Sequence, residues 1–177
     1  MATLTFPTEA RFLRDNSIES AGGVTMQLGA DTIRATVRVR ADTRRVYQAL
    51  VSPEYVETWL AIPDAEGPLI VTQAVPSQLD TLPAWECSVQ NDAPLRIHAG
   101  FTVARRRRLF IRWKLDRGAS QLESRISIRL IGDFEHTTLA LCHAGIDANG
   151  ELGWHHQMWR QSLCRLAKLY QNEVHAR

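Results

Sequence analysis

The first sustained pattern in the chain runs from Ile33 to Arg40, where Ile33, Ala35, Val37 and Val39 alternate with Arg34, Thr36, Arg38 and Arg40. A period of two puts one set on a core face and the other in water, which predicts a half-buried β-strand. Asp42 then stands as the N-cap of a short helix that turns Val46, Ala49 and Leu50 inward, and Pro53 stops that helix because its ring cannot continue the ladder. Ser52-Pro53-Glu54 opens a second short helix with a cap residue, a proline in the first turn and an acid suited to the positive end of the helix dipole. Tyr55, Val56, Trp59 and Leu60 give it an apolar stripe.

Between Ile62 and Pro94 five of the seven prolines (Pro63, Pro68, Pro76, Pro83 and Pro94) cut the chain into short pieces. Leu69 to Val75 and Trp85 to Gln90 are the strand candidates there. Alternation returns with Leu95, Ile97, Ala99, Phe101 and Val103, then with Leu109, Ile111, Trp113 and Leu115 after an arginine-rich turn, and the pair predicts a hairpin. Ile126, Ile128 and Leu130 mark the next strand and Gly132-Asp133 its turn. Thr137 to Ile146 follows, with Leu139, Leu141 and His143 on one side, so consecutive hairpins build an antiparallel meander. Leu152, Trp159, Leu163, Leu166 and Tyr170 then recur at helical spacing. A helix from Glu151 to Glu173 is about 34 Å long at roughly 1.5 Å per residue, enough to cross a sheet. Strand, two short helices, more strands and a long terminal helix predict an α+β fold in which a curved antiparallel sheet grips that helix.

Length and composition fit one core: 177 residues, 45% hydrophobic and 23% charged. Residues 1–32 are weakly periodic and read as a partly ordered extension with at most one short helix, and 33–177 as the domain. The formal charge of +2 (21 basic against 19 acidic residues) gives no field that points to nucleic acid. No apolar run approaches the roughly 20 residues that span a bilayer, and Glu9 and Asp15 sit where a targeting peptide avoids acids. Cys87, Cys142 and Cys164 lack the spacing of a disulfide framework or zinc knuckle and suit a reducing compartment. A cytoplasmic protein without membrane insertion is expected.

The order of elements and several local motifs resemble the START-like helix-grip superfamily (SRPBCC, birch-pollen-allergen-like) and, within it, the family of the activator of the ninety-kilodalton heat-shock-protein ATPase. The resemblance covers roughly Ile33 to Asn172. It rests on V-R-V-R-A-D-T-R-R-V-Y-Q-A-L, S-P-E-Y-V-E-T-W, L-F-I-R-W, T-T-L-A-L-C-H-A-G-I, the pair G-W and S-L-C-R-L-A. It implies a cavity between sheet and terminal helix of the kind that holds lipids, polyketides or other apolar molecules across the superfamily. Eukaryotic co-chaperones of the family carry an additional domain ahead of this one, which the 32 residues before Ile33 are too few to supply. The family's proline-containing hairpin turn is replaced here by Arg105 to Arg108.

Cavity candidates are the inward aromatics Trp59, Trp85, Phe101, Trp113 and Trp159, with His143 on its strand and Met158 and Leu163 on the helix. Their plain alternative is core packing, since large rings are usually buried. His143, among apolar neighbours, is expected to have a lowered pKa and either to orient a ligand hydroxyl or carbonyl or to be held by a backbone carbonyl. His155 and His156 flank the helix's apolar stripe. No histidine or cysteine spacing makes a metal site, no cofactor fingerprint occurs and no nucleophile stands beside a base, so no catalytic residue is assigned. Arg105 to Arg108 reads first as a solvated turn and second as a surface for an anionic partner. The expected function is binding of a small, largely apolar ligand. A cyclase- or lyase-type enzyme using the same cavity comes second, and a chaperone-interaction module with a protein partner third.

Overall fold

The alternation beginning at Ile33 becomes the third strand of a nine-stranded antiparallel sheet in the computed structural model, which describes residues 18–20, 23–63, 65, 67–74, 82–89, 95–118, 120–132, 134–146 and 151–172. The strands are β1 (Ile18–Ser20), β2 (Val24–Leu28), β3 (Thr32–Val39), β4 (Leu69–Gln73), β5 (Ala84–Val89), β6 (Arg96–Arg105), β7 (Arg108–Asp116), β8 (Gln121–Gly132) and β9 (Thr137–Ala144). The helices are α1 (Thr43–Val51), α2 (Pro53–Trp59) and α3 (Glu151–Asn172). The sheet order is β1-β2-β3-β9-β8-β7-β6-β5-β4, so β3 leaves the sheet through α1 and α2 and the chain returns at the far edge. This is the α+β helix-grip arrangement.

The sheet begins earlier than Ile33. Val24 lies opposite Val37 and Met26 opposite Ala35, and both side chains are buried. The described part of the expected extension is therefore strand, not helix. Its five-residue alternation is short and flanked by Gly23 and Gly29, which hides it in the sequence. Residues 1–17 lie outside the described residues, as do Val75, Gln90, Asp133 and Glu173, where the expected ends of two strands, a turn and the last helix fall.

Local chemistry sets the elements as expected, with one exception. Asp42 Oδ1 accepts the Arg45 N–H at 2.9 Å and caps α1. Ser52 makes no side-chain cap. Its backbone serves both helices instead, donating to Gln48 O at 3.0 Å and accepting from Tyr55 N–H at 3.0 Å. The β6–β7 hairpin turns at Arg106 and Arg107, and Arg105 to Arg108 are all exposed. Gly132 ends β8, and a Cβ there would run into the His136 carbonyl oxygen, so only glycine lets the β8–β9 connection close this tightly.

Strand alternation gives the sheet two faces. Toward the helices point Ile33, Val37, Ile97, Leu109, Ile111, Ile126, Ile128, Leu130, Leu139 and Leu141, all buried. Against them α3 lays Met158, Trp159, Leu163, Leu166, Ala167 and Tyr170, also buried. Each large side chain removed from water there contributes about 1.5–3 kcal/mol. Among the described residues no helix is long and apolar enough to cross a membrane.

Candidate functional site

Trp59, Trp85, Phe101, Trp113, His143, Met158, Trp159 and Leu163 are all buried, and hydrogen bonding divides their polar members into two groups. Trp59 Nε1 donates to Ala49 O at 2.7 Å and Trp85 Nε1 to Leu50 O at 3.3 Å. These are carbonyls of the last turn of α1, which have no intrahelical donor of their own. The C-terminal half of α3 is tied down in the same manner. Ala61 N–H donates to Ser162 Oγ at 2.9 Å, Arg165 Nη1 to Leu60 O at 3.3 Å and Tyr170 OH to Arg45 O at 3.2 Å. At this end the buried polar groups serve the fold.

The other end centres on His143 of β9, fully buried on the face toward α3. Trp159 Nε1 donates to its Nδ1 at 2.9 Å, and its Nε2 lies 2.7 Å from Ser124 Oγ on β8. Indole nitrogen is only a donor, so Nδ1 carries the lone pair, the imidazole proton sits on Nε2, and Ser124 Oγ accepts it. The result is a directed chain from Trp159 through His143 to Ser124, whose own hydroxyl proton the chain does not use. The expected backbone-carbonyl partner of His143 is thus replaced by two side chains. Burial, and then the neighbouring His155, hold the His143 pKa well below the usual histidine value.

His155 packs edge-to-face on His143, with ring centroids 4.9 Å apart. Its Nδ1 donates to Glu151 O at 2.8 Å, one turn back along α3, which leaves Nε2 as a bare acceptor. Burial pushes the His155 pKa down to about 4, helped by the Arg117 cation and opposed by the Glu151 carbonyl. Trp113 of β7 completes the ring of aromatics, 5.9 Å from His143 and 5.7 Å from Trp159. Beside His155, Arg117 pairs with Glu151 at 3.4 Å and lies over the Trp154 ring at 4.4 Å. Among the described residues five buried side-chain atoms lack a hydrogen-bond partner: Trp113 Nε1, His155 Nε2, Glu151 Oε2, and Nε and Nη2 of Arg117. All five belong to this end.

The arrangement limits the chemistry. Ser124 Oγ accepts the His143 Nε2–H hydrogen bond and does not donate to that ring, so the pair is not a base-activated nucleophile. Both nitrogens of His143 are occupied, and no group of three metal-binding side chains occurs among the described residues. Cys87 is buried and its thiol is pushed up to about 12 by that burial and by Glu57, which leaves it unreactive. Two open grooves lie on the opposite, outer face of the sheet. One of about 540 Å³ lies along Phe110, Arg112, Arg125 and Cys142, and the other of about 570 Å³ lies along Glu86, His98, Lys114 and Glu123.

Sequence reasoning missed Ser124, Arg117 and Glu151, and read His155 only as a flank of the stripe. Ser124 was visible in principle. It takes the inward position of β8 that Ile126, Ile128 and Leu130 occupy further on, one hydroxyl on an otherwise apolar row. Arg117 and Glu151 are far apart in sequence and meet only because the sheet brings the end of β7 to the start of α3.

Solved structures share this fold. A Chromobacterium violaceum protein, CV1439, is 19% identical with a TM-score of 0.63, over 79% of this chain and 97% of that one. CalU16 from Micromonospora echinospora is 17% identical with a TM-score of 0.54, over 86% and 87%. DynU16, a protein of the dynemicin biosynthetic locus, is 22% identical with a TM-score of 0.52, over 79% of this chain and 47% of that one. Among curated proteins none matches the chain. The family model described as activator of Hsp90 ATPase homolog 1-like protein matches residues 40–171, from the entrance of α1 to the end of α3, and the chain belongs to that family.

Proposed function

We propose that the protein binds a small, largely apolar molecule between strands β7 to β9 and the N-terminal half of α3. The observation that carries the reading is the set of unpartnered polar atoms around His143. A native fold rarely leaves a buried indole N–H and an imidazole nitrogen unsatisfied, and a shared location for both marks a place that something else completes. The surrounding surface of Trp113, Trp159 and Met158 suits an apolar body, and the few polar atoms suit orientation. His143 is the holder of this site: it fixes Trp159 and Ser124, and they face the ligand. The three free thiols fit a reducing compartment, the cytoplasm.

The enzyme reading is weaker on the same geometry. A cyclase or lyase needs a base that works near neutral pH, and both buried imidazoles are held far below that range. The reading is tested by native mass spectrometry of protein purified from its own host. A co-purifying small molecule that is lost on denaturation is the expected result. A spectrum of bare protein, together with no saturable uptake of any apolar compound, would remove the proposal.

A further inference from the structure

We infer that the polar anchor of this ligand is a hydroxyl group, so that the site takes a neutral aromatic or alicyclic alcohol in preference to the matching ether, ketone or carboxylate. This rests on the binding reading above and names the class of molecule. Three polar groups around His143 have capacity left over. Trp113 Nε1–H is a donor with no partner. Ser124 Oγ already accepts from His143, and its own proton is the remaining donor. His155 Nε2 is an acceptor only, because its Nδ1 proton is committed to Glu151 O.

Two donors and one acceptor are the complement of an alcohol, which offers two lone pairs and one proton. The topology sets these groups side by side. Trp113 lies directly opposite Ser124 in the β7–β8 register, on the face turned toward α3, and Ile126 lies opposite His143 in the β8–β9 register. His155 comes down from α3 onto the same His143 ring.

The alternatives fit less well. An ether or ketone oxygen uses the donors but sets a lone pair against His155 Nε2, leaving that acceptor buried and unpaired. A carboxylate repeats that mismatch and also meets Glu151, whose Oε2 has no partner and whose other oxygen already holds Arg117. Arg117 is already paired through Nη1, and Glu151 offsets the charge that its unpartnered Nε and Nη2 would offer an acid. The aromatic walls supply edges and faces for a flat ring, with Trp85 edge-on to Trp113 at 5.9 Å extending the wall.

The test is isothermal titration of the full chain with naphthol, its methyl ether, naphthalene and naphthoate, four compounds that share one apolar body. Naphthol is expected to bind roughly tenfold tighter than its methyl ether, the value of one well-made hydrogen bond set against one left unpaired. In Trp113→Phe the ratio between the two falls toward one. Equal binding of naphthol and the ether to the wild type would overturn the hydroxyl anchor while leaving the site itself in place, and would assign the orphan groups to a bound water. A ratio unchanged in a folded Trp113→Phe protein overturns it as well. If that variant does not fold, the wild-type ratio decides alone. Failure of all four compounds to bind would remove the binding reading and the hydroxyl anchor together.

Discussion

The two halves of α3 press similar residues against the sheet and treat their polar atoms in opposite ways. Around the C-terminal half, Trp59, Trp85, Ser162 and Tyr170 each reach a backbone group or another partner, and the contact is complete. Around the N-terminal half, Trp113 and His155 are equally buried yet keep unpartnered atoms, and so does the half-buried pair of Glu151 and Arg117 beside them. Burial alone would rank both ends as core. Completeness of hydrogen bonding separates them, because an unpaired buried donor or acceptor costs about 1–3 kcal/mol and a fold does not leave a buried indole N–H and a buried imidazole nitrogen unpaired in one place for packing alone.

The largest effect that sharpens this contrast is at His143. Replacement by alanine removes a buried ring and leaves Trp159 Nε1 and Ser124 Oγ without their partner, so denaturant melts are expected to show a loss of about 3–5 kcal/mol. A loss below about 1 kcal/mol would mean that the Trp159–His143–Ser124 chain does not hold this end together.

Acid should act on the same end. His155 titrates near 4 in the fold against 6.5 when unfolded, so the unfolded chain binds the extra proton between those values. Stability is fully present above pH 6.5, falls as the pH drops toward 4, and His143 adds to the fall in the same direction. The expected decrease from His155 alone is on the order of 3 kcal/mol, read from urea melts across that window. A flat profile would place the imidazoles in water.

Two parallel substitutions compare the ends directly. Trp59→Phe takes the donor from Ala49 O and shrinks a filled space, so a loss of about 1–3 kcal/mol is expected. Trp113→Phe shrinks a filled space as well but removes an N–H that has no partner, so its cost should stay below that of Trp59→Phe by about 1 kcal/mol. The reverse order, measured under one set of conditions, would erase the distinction between the two halves.

Much of the fold could be read from residue order. The alternation in β3, β6, β7 and β9 and the spacing of Trp159, Leu163, Leu166 and Tyr170 are repeated local signals, each set by which side of an element meets water. β2 escaped because five residues between glycines give too little repetition. The site was half legible. Inward positions were predictable, so Trp113, His143 and Trp159 stood out, but which nitrogen finds which partner depends on register between strands and on where α3 starts. No spacing along the chain shows that Trp59 meets a helix end while Trp113 meets nothing, nor that Arg117 and Glu151 come together beside His155.

The most direct measurement is the indole N–H region of a proton–nitrogen NMR spectrum during titration with naphthol, with Trp113→Phe used to assign the Trp113 signal. The Trp113 resonance should move downfield and saturate as it gains a hydrogen bond, while the signal of Trp59, already bonded to α1 and outside the site, stays where it is. A Trp113 signal that does not move, or tryptophan signals that all drift together without saturation, would contradict a ligand site at the N-terminal half of α3.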